Sequence, residues 1–440
     1  AQVKGEKNTH TGLYAVENLE AGQPYTLTLE ASGAAQPAQT TLKALPSEVP
    51  ADPDGGLHVL LASCFYTQEA NPQTVIGTLR AACAAVPRRG ALSGPDLGML
   101  MGDQVYLDMP LSHDVPEQRV DVDRDFEQMY TRNWRSCLAQ LFHAAPHLNL
   151  PDDHEFWNNY PYAYGLAQNT RDPVGHLNWK ESAKHMLARF QHVPSHREFD
   201  VDPVSFFVAD GRSQRDPDAT LHNTLTPAAR SALDAWVKRV NRTPSLRVAV
   251  FVTGQSLLSA PAAKPMGVFA DAAPSNYADY APNLEVLLRL ERPLLLITGD
   301  VHWGRVVRAT RTSPARPPIY EVIVSPLSSV KDQRMRAWSA LKRVVGRDRG
   351  VDWDSLPPEE PPTELGPSRK TYTGFFPQRP RCEVVEVSSA PDGRAMFRGD
   401  QLAMLSFHRT GGGRVTAKVV YWMIRDKPVS YTIPLFDSVP

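Results

Sequence analysis

The sequence is poor in cysteine and has no long apolar segment. Its four cysteines, in 440 residues, have neither CxxC spacing nor the density of a disulfide framework, which excludes a zinc knuckle and a disulfide-stapled fold. No run approaches the roughly 18 apolar residues that a membrane helix needs. The start of the chain, Ala1–Lys4, resembles neither a signal peptide nor an initiator methionine. We therefore expect a processed or trimmed chain without a transmembrane segment.

An excess of charge of one sign is also missing. Lys and Arg together number 47, and Asp and Glu together number 48, whereas a domain that binds nucleic acid is usually strongly basic. The balance gives no support for a nucleic-acid partner, so any recognition of phosphate must be local. A hydrophobic content of 42% in a chain of this length is enough for a large globular core.

Two kinds of pattern divide the chain. Residues 11–45 contain short strand-like runs between Gly and Pro turns, and Pro46–Gly56 has the composition of a linker, which predicts a small β element over residues 1–50. From Leu57 onward, apolar strand-like runs alternate with helical segments, which predicts an α/β domain over residues 51–440. These runs are Leu57–Ala62, Leu97–Met101, Ser205–Val208, Arg247–Val252 and Pro293–Thr298. Strand patterns return at Cys382–Val387 and Val415–Trp422, so we do not expect a single parallel sheet.

Two helical patterns stand out. Apolar residues at three- and four-residue spacings predict one helix from Phe126 to Phe142. Lys331–Arg349 is strongly basic, with apolar residues at helical spacing, and the Pro-rich segment Pro357–Pro367 follows it. We interpret residues 331–380 as an insertion whose basic helix either is solvated over the core or serves as a lid or surface that attracts anionic substrates.

Three polar clusters, each next to a strand-like run, are the candidates for chemistry. They are Gly102–Tyr106 (GDQVY), Asp152–Glu155 (DDHE) with the following Asn158 and Asn159, and Gly299–His302 (GDVH). Strand ends could bring their carboxylate, phenol, amide and imidazole groups to one point. That combination of ligands predicts a multi-metal hydrolase.

The first cluster indicates two metals only in combination with the others. Asp103 could bridge two cations, and the phenolate of Tyr106 is a useful ligand only to a strong Lewis acid such as Fe³⁺. Alone, GDxxY is more typical of a turn Asp and a packed Tyr than of a metal site. Cys64 follows the run Leu57–Ser63 and is either a buried small hydrophobe or a thiolate ligand.

The other two clusters carry more charge. The concentrated acids of Asp152–Glu155 are costly in a fold unless cations neutralise them, although an acidic surface turn is the alternative. His154 could be a ligand or a general acid. Asp300 and His302 are two residues apart, so on an extended segment they share a face and form a ligand pair.

Together, these clusters resemble the alkaline phosphatase D (PhoD-like) family of the calcineurin-like metallophosphatase superfamily. The resemblance rests on Ser63–Cys64, on GDxxY at Gly102–Tyr106, on DDHE followed by Asn158, and on GDVH at Gly299–His302. It extends to Ser325–Ser329 (SPLSS) and covers roughly residues 57–330. The family's LLDTRxxR-like segment corresponds here to Val208–Arg215, which keeps the Asp and both Arg but has Gly in place of Thr.

The resemblance implies a four-layer αββα core with two mixed β-sheets, preceded by the tail of an N-terminal β-sandwich. It also implies Fe³⁺ with one or two Ca²⁺, other divalent metals being possible, and an exported or cell-envelope location. By motif, Cys64, Asp103 and Tyr106 resemble the iron ligands. The residues that resemble ligands of the second metal group are Asp103, Asn158 and Asp300, with Asp153 and His302 as further candidates.

The implied activity is hydrolysis of phosphate esters, with phosphodiesters favoured, by a metal-bound hydroxide. His154 would protonate the leaving group, and Arg212 or Arg305 would clamp the phosphate. One alternative is a phosphomonoesterase or a phospholipase D-like enzyme, for which the basic segment would suit a polyanionic or phospholipid substrate. The other is a Ca²⁺-stabilised binding protein without turnover, which would have no use for Cys64 or Tyr106.

Overall fold

The structure is a computed structural model that describes most of the chain. The described residues are 16–30, 37–51, 55–67, 72–86, 94–109, 115–135, 137–162, 172–217, 220–258, 272–312, 315–328, 382–387, 397–411, 414–424 and 428–436. The predicted insertion at residues 331–380 lies outside them. None of the described helices is both long enough and apolar enough to cross a bilayer.

Strands and helices alternate through the first three quarters of the chain. The strands are β1 (Pro24–Leu29), β2 (Ala38–Lys43), β3 (Leu57–Ala62), β4 (Leu97–Met101), β5 (His147–Leu150), β6 (His196–Val201), β7 (Val204–Ala209), β8 (Val248–Val252), β9 (Leu294–Thr298), β10 (Trp303–Thr312), β11 (Ala315–Ile323), β12 (Cys382–Val387), β13 (Phe397–Arg398), β14 (Gln401–Thr410), β15 (Arg414–Met423) and β16 (Val429–Ile433). The α-helices are α1 (Pro72–Ala84), α2 (Arg119–Arg135), α3 (Cys137–Ala144), α4 (Pro173–Met186), α5 (Pro227–Arg242) and α6 (Tyr280–Leu288).

Two mixed sheets form the core. The six-stranded sheet has the order β16-β15-β14-β3-β4-β5, in which β3, β4 and β5 are parallel and β14–β16 are antiparallel. The eight-stranded sheet has the order β12-β10-β11-β9-β8-β7-β6, with β13 paired to β10. Its strands β7, β8, β9 and β11 are parallel. The carboxyl ends of the parallel strands define the edges at which functional loops begin.

The layers follow from side chains that alternate across each strand. In β3, Val59 and Leu61 face the eight-stranded sheet in the core between the sheets, whereas Leu60 and Ala62 face α1 and α3. In β7, Phe206 faces the same inter-sheet core and Phe207 faces α5 and α6. Burial on both faces explains why these strands read as continuous apolar runs. The predicted four-layer αββα architecture with two mixed sheets is confirmed.

The predicted helix from Phe126 to Phe142 falls on α2 and α3, which the structure describes up to Arg135 and from Cys137 onward. Whether they form one helix stays a prediction, because residue 136 lies outside the described residues. The apolar residues of α2 pack against α4 and the DDHE segment, whereas Leu138 and Leu141 of α3 pack on the outer face of the six-stranded sheet. The two clusters lie in different layers, and periodicity alone does not reveal that the apolar face divides between them.

The small β element is confirmed as a two-stranded antiparallel sheet of β1 and β2. The segment after it is not a free linker, because Val49 is fully buried in the inter-sheet core and its N–H donates to Asp202 O at 2.7 Å. Lys43 also reaches Asp96 at 2.7 Å. The domain boundary at residue 50 stays a prediction.

Candidate metal centre

The predicted clusters meet where strands of both sheets end. Cys64, Asp103 and Asp153 follow β3, β4 and β5 of one sheet, and Arg212 and Asp300 follow β7 and β9 of the other. Their close approach depends on two glycines. A Cβ on Gly299 would lie 2.7 Å from Met101 O, and a Cβ on Gly102 would lie 2.4 Å from Asp152 Cβ. Neither position has room for another residue type.

The site also has an unusual backbone. Asp103, Asp300 and other non-glycine residues around the centre adopt left-handed conformations, which cost about 1–3 kcal/mol each and persist where the surroundings enforce them. These residues and their φ angles are Cys64 (55°), Asp103 (53°), Asn159 (63°), Asp300 (68°) and His302 (60°). Such clustering is typical of a binding or catalytic site.

Three overlapping groups of side chains could each hold a metal ion. The groups are Cys64, Asp103 and His302; Asp103, Asp153 and His154; and Asp152, Asp153 and Asp300, and within each group the ligand atoms lie within 4.8 Å of one another. Asp103 belongs to the first two groups and Asp153 to the last two. These two carboxylates therefore connect the three groups into one continuous cluster.

Cys64 belongs to the first group and is fully buried. Its Sγ is 3.5 Å from Asp103 Oδ2, and Ser325 Oγ donates to it at 3.2 Å. Burial, followed by the negative charges of Asp103 and Asp300, raises the pKa of the Cys64 thiol well above its ordinary value. A bound cation would reverse this effect and favour the thiolate.

Tyr106 lies beside the first two groups. Its ring packs on that of His154, with 4.2 Å between the centroids, and only 2% of the residue is exposed. Its Oη is buried and has no hydrogen-bond partner among the described residues. An unsatisfied buried hydroxyl typically costs about 1–3 kcal/mol. Coordination to a cation would remove that cost.

His154 is held by a carboxylate that the sequence analysis did not identify. Its Nδ1 lies 2.7 Å from Asp108 Oδ1, and Asp108 Oδ2 accepts the N–H of Asn158 at 2.8 Å. Burial lowers the pKa of His154, but the carboxylates of Asp108, Asp153 and Asp103 outweigh it and hold this pKa well above the ordinary value. With Nδ1 on Asp108, His154 presents Nε2 as its second ring nitrogen.

Arg212 is the cationic side chain that faces the acids from the eight-stranded sheet. Its Nε donates to Asp152, and its Nη2 is 3.9 Å from both Asp153 Oδ1 and Asp300 Oδ2. Burial raises the pKa of Asp153, but His154 and Arg212 together hold it below its ordinary value. Arg212 therefore lies against both the DDHE and the GDVH clusters, and its predicted phosphate contact stays a prediction.

A pair of hydrogen-bonded side chains, Gln255 and Arg215, supports Asp300. Gln255 Nε2 donates to Asp300 Oδ2 at 3.1 Å, and Arg215 Nη2 donates to Gln255 Oε1 at 2.5 Å. Arg215 also lies 5.0 Å from the centre of the Tyr277 ring. The second arginine of the Val208–Arg215 segment therefore supports Gln255 rather than facing the ligand groups.

The remaining predicted residues differ in their surroundings. His302 belongs to the first group and is exposed at its edge, whereas Asp300 belongs to the third, so the two do not form the ligand pair that the sequence predicted. Asn158 is half-buried, and its backbone N–H donates to Asp108 Oδ2 at 2.8 Å. Arg305 is 1% exposed, with its guanidinium 3.5 Å from Glu321 and over the ring of Trp303. The metal role of Asn158 and the phosphate role of Arg305 stay predictions.

Sequence reasoning missed residues that act through other residues. Asp108 and Gln255 carry no pattern that separates them from ordinary polar residues, and Glu155 was part of the DDHE cluster without a role of its own. Asp152 did carry a signal, as the first acid of DDHE, and the structure places it in the third group.

No protein-family model matches this chain, and a search of curated proteins returns no match. A search of solved structures does return matches, among them one described as "Structure of PhoD". That likeness covers 94% of this chain and 75% of the other, with a TM-score of 0.54 and 14% sequence identity. The motif resemblance to PhoD is thereby confirmed as a likeness of fold.

Proposed function

We propose that the protein hydrolyses phosphate esters, with phosphodiesters favoured, at a multi-metal centre. The observation that carries this proposal is that Asp103 is shared by the first and second ligand groups and Asp153 by the second and third. Arg212 and His154 lie beside these two carboxylates. Two adjacent cations in one site need a carboxylate that both of them can bind. The motif resemblance and the PhoD-like fold support the same conclusion.

The donor set fits two kinds of metal. A thiol, a carboxylate and an imidazole form the first group, next to the unsatisfied hydroxyl of Tyr106, and this combination suits Fe³⁺. The third group consists of carboxylates alone, which suits Ca²⁺. Cys64, Asp103, Tyr106 and His302 would hold the first ion. Asp152, Asp153, Asn158 and Asp300, with Asp103 as a bridge, would hold the others.

The charge of the centre makes cations necessary for this function. Arg212 and His154 oppose the carboxylates of Asp103, Asp152, Asp153 and Asp300 among the described residues, so an anionic phosphate would be repelled from the metal-free site. Bound cations would neutralise the phosphate oxygens and activate a water molecule as the nucleophile. The same balance favours a diester, which has one charge fewer than a monoester dianion.

Two side chains then have direct roles. Arg212 Nη2 points toward Asp153 and Asp300, where it would meet a phosphate oxygen between the cations. His154, oriented by Asp108, would donate a proton from Nε2 to the leaving alkoxide. Arg305 is a further candidate for substrate binding through its proximity to the GDVH segment.

The test combines metal analysis with a panel of substrates. Purified protein is analysed for iron and calcium, and turnover of a phosphodiester, a phosphomonoester and phosphatidylcholine is compared before and after chelation. We expect the diester to be the best substrate, and we expect chelation to abolish turnover until metal is returned. Equal or faster turnover of the monoester or the phospholipid would favour the phosphomonoesterase or phospholipase D-like alternative. Bound calcium without turnover would favour a binding protein.

A further inference from the structure

The carboxylate of Glu155 is fully buried and faces backbone amides instead of the ligand groups. Its Oε2 accepts hydrogen bonds from the N–H of Asp103 at 2.9 Å and of Asp152 at 2.7 Å. Its Oε1 accepts from the N–H of Gln104 at 2.6 Å and from the side-chain amide of Gln191 at 3.1 Å. Four donors therefore surround its two oxygens.

These donors come from two different strand ends. Asp103 and Gln104 follow β4, whereas Asp152 follows β5. A Glu that accepts the amide three residues before it forms an ordinary helix-capping contact, which accounts for the bond from Asp152. That motif does not account for the bonds from Asp103 and Gln104, which lie about fifty residues earlier in the chain. Glu155 thus fastens together two ligand-bearing loops.

The bond to Asp103 acts where the backbone needs support. Asp103 has a φ of 53°, a conformation that a non-glycine residue adopts only when neighbouring groups enforce it. Hydrogen bonds to an ionised carboxylate are among the stronger ones, and Asp103 and Gln104 direct two successive amides at Glu155. The side chain of Asp103 then projects between the first two ligand groups.

We infer that Glu155 is a positioning residue. It holds Asp103 and Asp152 where their carboxylates complete the three ligand groups, and it thereby sets the affinity of the centre for cations. This inference rests on the proposed metal centre. It assigns the last residue of DDHE a different task from the three before it, because Glu155 binds no cation itself.

Glu155→Gln tests this role. The glutamine side chain is nearly isosteric, but its NH₂ group would face backbone N–H donors and could not accept their hydrogen bonds. Metal-free protein is titrated with Ca²⁺ by calorimetry, and its thermal unfolding is followed with and without the ion. We expect Ca²⁺ affinity to fall about 10- to 100-fold, as for other groups that orient metal ligands.

Asp279→Asn is the matched control. Asp279 is also buried, and it accepts the amides of Thr224 at 2.9 Å and Leu225 at 3.2 Å together with the side-chain amide of Asn283 at 2.9 Å. It belongs to none of the three ligand groups. We expect this variant to lower the unfolding temperature of the metal-free protein while Ca²⁺ affinity stays within about twofold of the original.

The outcomes separate the two proposals. If the original protein binds Ca²⁺ and Glu155→Gln binds it equally well, the positioning role is wrong and the metal centre stands. If the original protein binds no metal ion, both fail. Should Glu155→Gln not yield folded protein, Glu155→Asp is measured in the same way, because its carboxylate is too short to reach both loops; unchanged affinity in that variant would also overturn the inference.

Discussion

The Nδ1 atom of His154 lies 2.7 Å from Asp108 Oδ1, and this contact fixes which nitrogen of the ring is left for chemistry. Asp108 is itself anchored by the amide of Asn158 at 2.8 Å and is buried. Asp108, which belongs to none of the three ligand groups, therefore orients the imidazole through its Nδ1 atom. This arrangement suits both a proton donor and a metal ligand, because either role uses the outer nitrogen of a ring that a carboxylate orients.

For His154→Ala, we expect the loss of activity to depend on the leaving group. A basic alkoxide needs protonation, so turnover of an alkyl diester should fall about 10²- to 10⁴-fold, whereas a nitrophenyl ester should lose much less. Metal content should be unchanged. Asp108→Asn, which keeps a polar partner but removes its charge, should give a smaller loss with the same dependence. Equal loss on both substrates with depleted metal would make His154 a ligand.

For Asp103→Asn, we expect metal and activity to be lost together. Asp103 is shared by two ligand groups, so the amide would weaken both at once, and turnover should fall by at least about 10²-fold. Elemental analysis and turnover are measured on the same sample. Near-normal turnover in this variant would contradict a bridging role.

For Tyr106→Phe, we expect a change in colour. Ferric ion bound by phenolate or thiolate gives visible charge-transfer absorption, so native protein with iron in the first group should be coloured. The variant keeps the ring packing on His154 but removes the buried hydroxyl, and its band should shift or bleach. A colourless, fully active protein without iron on elemental analysis would rule Fe³⁺ out.

A further prediction concerns stability and is independent of metal. His147 Nδ1 lies 2.6 Å from Ala145 O, its Nε2 is buried without a hydrogen-bond partner among the described residues, and its ring packs on Gly98. Burial lowers its pKa to about 4. The unfolded chain, with an ordinary histidine pKa near 6.5, therefore binds more protons between these values, and the stability contribution is lost as the pH falls from about 6.5 toward 4.

The measurement is the free energy of unfolding by urea at pH 7 and pH 5. The difference should be about 1–2 kcal/mol smaller in His147→Gln than in the original protein, because the glutamine does not titrate. His185→Gln, at a more exposed histidine on α4, is the control. An unchanged difference in His147→Gln would mean that this histidine has the same pKa in the folded and the unfolded chain.

The sequence predicted those parts of the fold that depend on local pattern. Leu57–Ala62 and Leu294–Thr298 are apolar at every buried position except His58 and Thr298, so they could be identified as strands with both faces covered. The position of β14 beside β3 could not, because their pairing joins residues such as Leu405 and Val59 that are far apart in the chain. The distribution of the apolar residues of α2 and α3 over two layers could not be predicted either, because periodicity does not say which layer a helix face will meet.

The residues of the candidate site could likewise be predicted only in part from the sequence. Asp103, Asp153, Asp300 and His302 could be found because they belong to short motifs at strand ends. Glu155 and Asp108 could not be told apart from metal ligands, because a carboxylate that accepts amide hydrogen bonds and one that binds a cation look alike in sequence. Only the direction of the neighbouring N–H groups separates the two.

The position of β14 has a consequence for the order in which the protein is made. β3 leads into Cys64, yet one of its two neighbours in the sheet is β14, whose residues Ala403–Phe407 are synthesised some 340 residues later. Until then, β3 has an open hydrogen-bonding edge, and such non-local pairing is slow to form. Cys64, at the end of β3, therefore reaches its final surroundings only after β14 has been synthesised and has paired with β3.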